Sequence, residues 1–271
     1  MIKYWRIAAV HGGFSISNPS PAAKDPRRIL RLLYWPYKWL IFGPLLVLST
    51  CLFVGMGIVM LPFVGDLVVN RTVLVWWARF NSFMIPMRVT VGGRENIVKG
   101  RSYVIVSNHQ SLIDSILLVG WLKTDIKWVM KKELRKVPVF GYAAEKGGQI
   151  IIDRSNPKAA YESLRRADEK IAGGTSIVIL PEGTRSRTGQ LGEFKKGAFW
   201  LSLNLGIPIL PVSIINTRNI LPPDTLDLFP GRAVLKIHQP VDVGQYDEVS
   251  MERLISDVRH IVQTGLGSNA S

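Results

Sequence analysis

Residues 103–122 read Tyr-Val-Ile-Val-Ser-Asn-His-Gln-Ser-Leu-Ile-Asp-Ser-Ile-Leu-Leu-Val-Gly-Trp-Leu, and they are the most informative segment for the fold. Its first five residues form a short apolar run that is typical of a buried β-strand. A polar turn follows from Asn108 to Ser111, and the residues from Leu112 to Leu122 then predict a helix. The pattern is strand, turn and helix, with His109 in the turn.

On both sides of this segment, further β-rich runs alternate with helical segments between residues 88 and 271. One helix is marked by Asn156 as cap, Pro157 in its first turn and Gly173-Gly174 at its end. This alternation predicts an α/β domain with a mixed, mostly parallel sheet flanked by helices. The expected strands are residues 88–91, 103–107, 127–130, 149–152, 176–180, 209–215 and 233–237.

The first 38 residues form a basic, partly irregular arm. They carry seven positive side chains against one acidic residue, Asp25, and include the turn-rich stretch from Ser15 to Pro26. The positive residues are Lys3, Arg6, Lys24, Arg27, Arg28, Arg31 and Lys38. Such a segment suits a negatively charged membrane surface.

Residues 39–87 are strongly apolar, and no charged residue lies between Lys38 and Asp66. At about 1.5 Å per helical residue, the uncharged run is long enough to cross a hydrocarbon core of roughly 30 Å. Glycine and proline interrupt the run, and both flanks are basic, so the charges give no clear orientation. We expect a membrane-embedded helical hairpin; the alternatives are a single span and an uncleaved signal-like segment.

The composition favours a lipid partner. There are 34 basic and 20 acidic residues, a net charge of +14, and 47% of the residues are hydrophobic. The charge implies an anionic partner, and the hydrophobicity favours a membrane surface over nucleic acid. The single cysteine, Cys51, excludes an intramolecular disulfide and a cysteine-rich metal site.

His109 and Asp114 are the candidate catalytic pair. His109 lies beyond a strand, where loops of α/β sheets bind ligands, and Asp114 would lie in the first turn of the next helix. From there its carboxylate can orient the imidazole and stabilise its protonated form. Alternatively, Asp114 is an acidic helix start after a cap at Ser111, and His109 is a structural residue.

A second strand, residues 176–180, ends in Pro181-Glu182-Gly183-Thr184-Arg185-Ser186. Gly183 lets the backbone approach a ligand, Thr184 offers a hydroxyl, and Arg185 presents a planar fork for a phosphate. The negative charge of Glu182 is unfavourable beside a phosphate, so we expect this residue to organise the loop or to pair with a basic side chain. The other interpretation is a solvated turn. Two lysine pairs, Lys131-Lys132 and Lys195-Lys196, are weaker candidates for the same anion.

Four motifs together resemble the glycerolipid acyltransferase family, which contains the 1-acyl-sn-glycerol-3-phosphate (lysophosphatidic acid) acyltransferases. They occur in the family's order over roughly residues 85–240, which is more specific than any one of them. The motifs are Asn108-His-Gln-Ser-Leu-Ile-Asp114, Gly148-Gln-Ile-Ile-Ile-Asp-Arg154, Leu180-Pro-Glu-Gly-Thr-Arg-Ser186 and Ile207-Pro-Ile-Leu-Pro-Val-Ser213.

The resemblance implies residue roles. His109 is the expected general base and Asp114 its partner; Glu182, Gly183, Thr184 and Arg185 bind the glycerol phosphate. Lys131 and Arg154 would lie near the same headgroup, although Asp153 can satisfy Arg154 as a surface pair. No metal or redox cofactor is expected, because a thioester donor requires only proton transfer and oxyanion stabilisation. Backbone N–H groups between Asn108 and Leu112 are the expected oxyanion donors.

The resulting expectation is an enzyme of phospholipid biosynthesis that acylates the sn-2 hydroxyl of lysophosphatidic acid to give phosphatidic acid. Acyl-CoA or acyl-carrier protein is the expected co-substrate, and a bacterial inner membrane with a cytoplasmic catalytic domain is the expected location. Two alternatives stay open: another acceptor, such as glycerol 3-phosphate or another lysolipid, and a catalytically silent adaptor that binds anionic lipid. A serine nucleophile at Ser111 is disfavoured because no Gly-x-Ser-x-Gly elbow is present.

Overall fold

The computed structural model describes residues 28–137, 140–153, 171 and 174–267. Most of the basic arm lies outside these residues, as do nearly all of the helix expected from Asn156 and the candidate ligand Arg154. Lys131 is part of a described strand, but its side chain is outside what the structure describes.

A seven-stranded sheet forms the centre of the described part of the chain, in the order β1-β7-β6-β2-β5-β3-β4. All neighbouring strands are parallel except the antiparallel pair β6 and β7. The prediction of a mixed, mostly parallel sheet flanked by helices is therefore confirmed. The strands are β1 (Met87–Gly92), β2 (Val104–Ser107), β3 (Asp125–Lys131), β4 (Ile150–Ile152), β5 (Thr175–Ile179), β6 (Ile209–Ile215) and β7 (Gly231–Ile237).

Helices cover both faces of this sheet. In β2, Val104 and Val106 pack into one core with Phe199, whereas Ile105 packs into a second core with Leu117. Alternate residues of a strand point to opposite faces, which explains why a strand buried on both faces is apolar throughout. The helices are α1 (Arg28–Pro36), α2 (Gly43–Val69), α3 (Val75–Met84), α4 (Ile113–Trp121), α5 (Phe140–Lys146), α6 (Gly197–Leu205), α7 (Thr217–Ile220) and α8 (Met251–Gly267).

The N-terminal apolar segment folds back on itself at Gly65, whose φ of 77° and ψ of 168° interrupt the helical backbone of α2. Beyond this bend, Trp77 Nε1 donates a hydrogen bond of 3.1 Å to Thr50 Oγ1. The rings of Phe53 and Phe80 are 6.3 Å apart. These contacts hold two antiparallel limbs together. By length and composition, the stretch Ile29–Met84 is long and apolar enough to cross a membrane. Only 11% of its most apolar 18-residue segment is buried within the structure.

In the structure the helical hairpin comprises residues 28–84, so the last residues of the predicted basic arm are helical and belong to it. Both ends of this hairpin contact the α/β domain. At the bend, Asp66 Oδ2 lies 2.7 Å from Lys127 Nζ, and the Lys127 side chain in β3 is only 2% exposed. Lys127 Nζ also donates a 3.0 Å hydrogen bond to the carbonyl of Gly147. At the other end, Arg31 Nε lies 2.8 Å from Asp227 Oδ2. The hairpin therefore lies along the α/β domain.

The turn after β1 gives a stability test. Gly93 has a φ of +78°, and a Cβ there would lie 1.9 Å from the carbonyl oxygen of Ile237. We expect Gly93→Ala to lower the free energy of unfolding by roughly 1–3 kcal/mol, through left-handed strain and steric overlap. The measurement is urea unfolding of the detergent-solubilised protein.

Gly92→Ala is the matched control, because a Cβ at Gly92 has no neighbour within 4 Å. We expect an unfolding curve close to that of the parent chain. Equal stability of the two variants would contradict the described turn.

Candidate active site

The polar loops meet at the carboxyl ends of three neighbouring strands. Strand β2 lies between β5 and β6 and is parallel to both, so the segments after Ser107, Ile179 and Ile215 emerge at one edge of the sheet. Ligands of open α/β sheets bind at this edge. The two polar motifs from the sequence are thereby brought together, and the segment after β6 joins them.

His109 and Asp114 are in direct contact. His109 Nδ1 lies 2.9 Å from Asp114 Oδ2, and Asp114 is completely buried in the first turn of α4. A carboxylate can only accept, so Nδ1 carries the proton of the neutral imidazole and Nε2 is left as an acceptor. The histidine side chain is 18% exposed. This arrangement suits a general base.

Three further donors hold the Asp114 carboxylate. Oδ2 accepts hydrogen bonds from the backbone N–H of Gln110 at 2.6 Å and of Ser111 at 2.8 Å. Oδ1 accepts a hydrogen bond of 2.6 Å from Thr217 Oγ1 at the start of α7. The carboxylate is therefore fixed by the turn before α4 and by the segment after β6, and it fixes the imidazole in turn.

The expected oxyanion donors need correction. The N–H groups of Gln110 and Ser111 are directed to Asp114, and the N–H of His109 donates 2.7 Å to Glu182 Oε1. A buried N–H that already has a carboxylate partner is not available to a developing oxyanion. Three residues of the predicted stretch, 109–111, thus organise the turn instead.

Ser111 is also structurally engaged. Its Oγ donates a 2.7 Å hydrogen bond to the carbonyl of Leu221, and the residue is completely buried. A hydroxyl in this position is unsuited to attack a substrate, which agrees with the interpretation that disfavours a serine nucleophile.

Glu182 links the two loops. Oε1 accepts from the N–H of His109 at 2.7 Å, and Oε2 accepts from the N–H of Gly192 at 2.9 Å. The N–H of Ser186 in turn donates 2.8 Å to the carbonyl of His109. Because both oxygens of this buried carboxylate accept from backbone, the geometry favours loop organisation over contact with an anion.

The remainder of this loop is accessible. Gly183 has a φ of +73°, and a Cβ there would lie 2.8 Å from Lys195 Nζ, so an ammonium group lies over the loop. Thr184 is exposed. Arg185 Nη2 lies 3.3 Å from Asp224 Oδ1, and its side chain is 27% exposed. The arginine fork therefore faces a carboxylate at the edge of the site.

Lys131 and Arg154 stay predictions. The Lys131 side chain and all of Arg154 lie outside the described residues. Asp153, considered as a partner for Arg154, forms an ion pair with Lys132. Among the residues that the structure describes, no group of three or more His, Cys, Asp or Glu side chains could hold a metal ion.

Sequence reasoning missed three neighbours of the site: Thr217, Arg187 and Asp224. Arg187 Nε lies 2.8 Å from Asp224 Oδ2. Thr217 and Asp224 belong to the segment after β6, far along the chain from the motifs that contain His109 and Arg185. From the sequence, one could have predicted only that Thr217 follows a strand of the same sheet as β2. The pairing of β6 with β2 in the structure shows that Thr217 reaches Asp114.

Two comparisons identify the family. The family model described as Acyltransferase matches residues 88–215. The fold is similar to the crystal structure of the 1-acyl-sn-glycerophosphate (LPA) acyltransferase PlsC from Thermotoga maritima, with a TM-score of 0.71 and 31% sequence identity. The match covers 88% of this chain and 95% of that protein.

The chain belongs to the acyltransferase family.

Curated relatives agree with this assignment. The chain is 38% identical to a 1-acyl-sn-glycerol-3-phosphate acyltransferase of Pseudomonas aeruginosa, over 53% of this chain and 57% of the relative. It is 32% identical to a chloroplastic enzyme of the same name from Brassica napus, over 61% of this chain and 48% of the relative. This acyltransferase family member spans about half the length of these curated relatives.

The bridging role of Glu182 can be tested by Glu182→Gln. An amide keeps one acceptor but presents an NH2 group to the second backbone N–H, which leaves a buried donor unsatisfied. We expect a loss of roughly 1–3 kcal/mol in the free energy of unfolding. Hydrogen exchange should also become faster at the amides of His109 and Gly192.

The neighbouring Glu193 is exposed, so Glu193→Gln provides the control. It should leave both measurements at their parental values. Unchanged amide exchange in Glu182→Gln would show that the bridge contributes nothing to the loop.

Proposed function

We propose that this chain is a 1-acylglycerol-3-phosphate O-acyltransferase. In this reaction, a fatty acyl group passes from a thioester to the sn-2 hydroxyl of 1-acyl-sn-glycerol 3-phosphate and gives phosphatidic acid. One observation carries the proposal: the loop of Arg185 is hydrogen-bonded to the backbone of His109 through Ser186. A base for a hydroxyl and a cation for a phosphate are therefore held at adjacent positions. The names of the similar proteins support the same substrate class.

The geometry suggests the order of proton transfers. Nε2 of His109 takes the proton of the sn-2 hydroxyl while that oxygen attacks the thioester carbonyl carbon. Collapse of the tetrahedral intermediate breaks the C–S bond, and the imidazolium returns its proton to the leaving thiolate. The Asp114 carboxylate stabilises the imidazolium. Because it binds Nδ1, Nε2 of His109 is directed away from Asp114 and towards the substrate.

For the acceptor, we propose Arg185 as the principal phosphate ligand, since a guanidinium fork can bind two phosphate oxygens. Gly183 and Thr184 would complete the contact, and Lys131 and Arg154 would add positive charge near the headgroup. Glu182 acts through the backbone of His109. The same chemistry would accept a different phosphomonoester, such as glycerol 3-phosphate, and comparison of acceptors separates these substrates.

The acyl donor is acyl-CoA or acyl-carrier protein. The net charge of +14 suits both the phosphates of CoA and the acidic surface of a carrier protein. We therefore propose a phosphopantetheine thioester as the donor class.

The hairpin points to a membrane location. Large apolar side chains along it are exposed, among them Leu40, Leu52 and Phe63. Because both its bend and its base contact the α/β domain, we propose that it lies within one leaflet and does not cross the bilayer. The N-terminal end of the hairpin is bound to Asp227 through Arg31, and Asp227 lies in the same loop as Asp224. The phosphate site would therefore lie at headgroup level. A cytoplasmic face of a bacterial inner membrane fits this proposal.

The base role is tested by His109→Ala in the purified, detergent-solubilised protein. We expect the rate of acyl transfer to lysophosphatidic acid to fall by about 10²- to 10⁴-fold, because no other group accepts the hydroxyl proton. Initial rates with labelled acyl-CoA and acyl-carrier protein provide the measurement.

His260→Ala serves as the control, because His260 is exposed on α8. Its rate should equal that of the parent chain. Parental activity in His109→Ala would rule out the base, and a parent chain inactive with both donors and every lysolipid would favour the lipid-binding adaptor.

The single-leaflet geometry predicts a flat depth profile. Nitroxide labels on Leu40→Cys, Leu52→Cys and Phe63→Cys, in a Cys51→Ala background, should report similar, shallow depths in bilayers. The limb from 40 to 63 would be about 35 Å long at 1.5 Å per residue. If the hairpin spanned the membrane, the label at position 52 would be much deeper than the other two.

A further inference from the structure

The two oxygens of Asp224 are shared between two arginines. Oδ1 lies 3.3 Å from Arg185 Nη2, and Oδ2 lies 2.8 Å from Arg187 Nε. Arg185 and Arg187 are two residues apart and point to one carboxylate. A planar anion with two oxygens already occupies the position where their guanidinium groups meet.

The arginine loop is held from both sides. Between the two arginines, the N–H of Ser186 donates to the carbonyl of His109 at 2.8 Å. Arg218 donates to the carbonyl of Arg187 and, at 2.7 Å, to that of Thr188. The two guanidinium groups therefore project from a backbone whose position is fixed relative to the catalytic histidine.

Asp224 belongs to a different loop, which connects α7 to β7. Its backbone has a φ of +60°, which is uncommon for a residue other than glycine. The Asp224 side chain is 50% exposed and that of Arg187 is 81% exposed. Ion pairs with this exposure are weak and readily exchanged for a ligand of higher charge.

We propose that Asp224 is an internal counter-ion that takes the place of the substrate phosphate before the substrate binds, and that Arg187 is a second phosphate ligand beside Arg185. The incoming phosphomonoester displaces the carboxylate and takes over both guanidinium groups. This inference rests on the proposed function for the identity of the substrate, but the anion site itself is defined by the three side chains.

Charge determines the direction of the exchange. A phosphomonoester carries about −1.5 to −2 charges at pH 7 and three acceptor oxygens, whereas a carboxylate carries one charge and two oxygens. The phosphate is thus the stronger partner for two guanidinium groups. The carboxylate lowers the affinity for every anion by the strength of the ion pairs that must break, so its removal should improve binding.

The test compares Asp224→Asn with the parent chain. We expect the KM for lysophosphatidic acid to fall about three- to tenfold with kcat unchanged, the range that release of two exposed ion pairs allows. The dissociation constant for inorganic phosphate should fall by the same factor. Arg187→Ala should raise both quantities, and Arg187→Lys should restore them in part.

Asp242→Asn is the matched control, because Asp242 is an exposed carboxylate beside Arg101, at 3.9 Å. It should change neither quantity. If Asp224 merely stabilised the loop, its asparagine variant would bind phosphate more weakly or unchanged, and either result overturns the proposal. Phosphate binding is measured without acyl transfer. A parent chain that is inactive in acyl transfer would therefore refute the proposed function, and the phosphate dissociation constants would still test the anion site.

Discussion

The arrangement of the site depends on one buried carboxylate, that of Asp114. It accepts four hydrogen bonds, from the His109 imidazole, the N–H groups of Gln110 and Ser111, and the hydroxyl of Thr217. A buried carboxylate is costly unless it is fully hydrogen-bonded, so these donors must remain in place together. The same contacts join the turn after β2 to the segment after β6. The orientation of the base and the integrity of the turn are consequences of one interaction.

A second constraint connects the loops of the candidate site to the hairpin. Asp227 pairs with Arg31 at the base of the hairpin, and Asp224 in the same loop faces Arg185. An amphiphilic substrate has its phosphate at headgroup level and its chain in the apolar layer. The described contacts would place the proposed phosphate site beside the apolar hairpin, which suits such a substrate. At the bend, Asp66 forms an ion pair with the buried Lys127, and this contact fixes the position of the hairpin on the α/β domain.

The fold was largely predictable because short, continuous apolar runs are characteristic of strands buried on both faces. The run 209–215 became β6 with those bounds, and His109 was predicted at a strand end. Two of the missed contacts concern partners that are distant in sequence. Hydropathy carries no information that Asp224 meets the arginine loop or that Thr217 reaches Asp114. Three of the predicted oxyanion donors, the N–H groups of residues 109–111, were wrong because the carboxylates of Glu182 and Asp114 accept their hydrogen bonds.

Through its contact with Nδ1, Asp114 is expected to hold His109 with Nδ1 protonated and Nε2 free to act as a base. Nitrogen-15 NMR of the histidine-labelled protein tests it directly, at a pH where the imidazole is neutral. We expect His109 to be the Nδ1–H tautomer in the parent chain, and this preference should weaken in Thr217→Val, which removes a hydrogen bond to the carboxylate. A dominant Nε2–H tautomer in the parent chain would show that Asp114 does not hold His109 as a base.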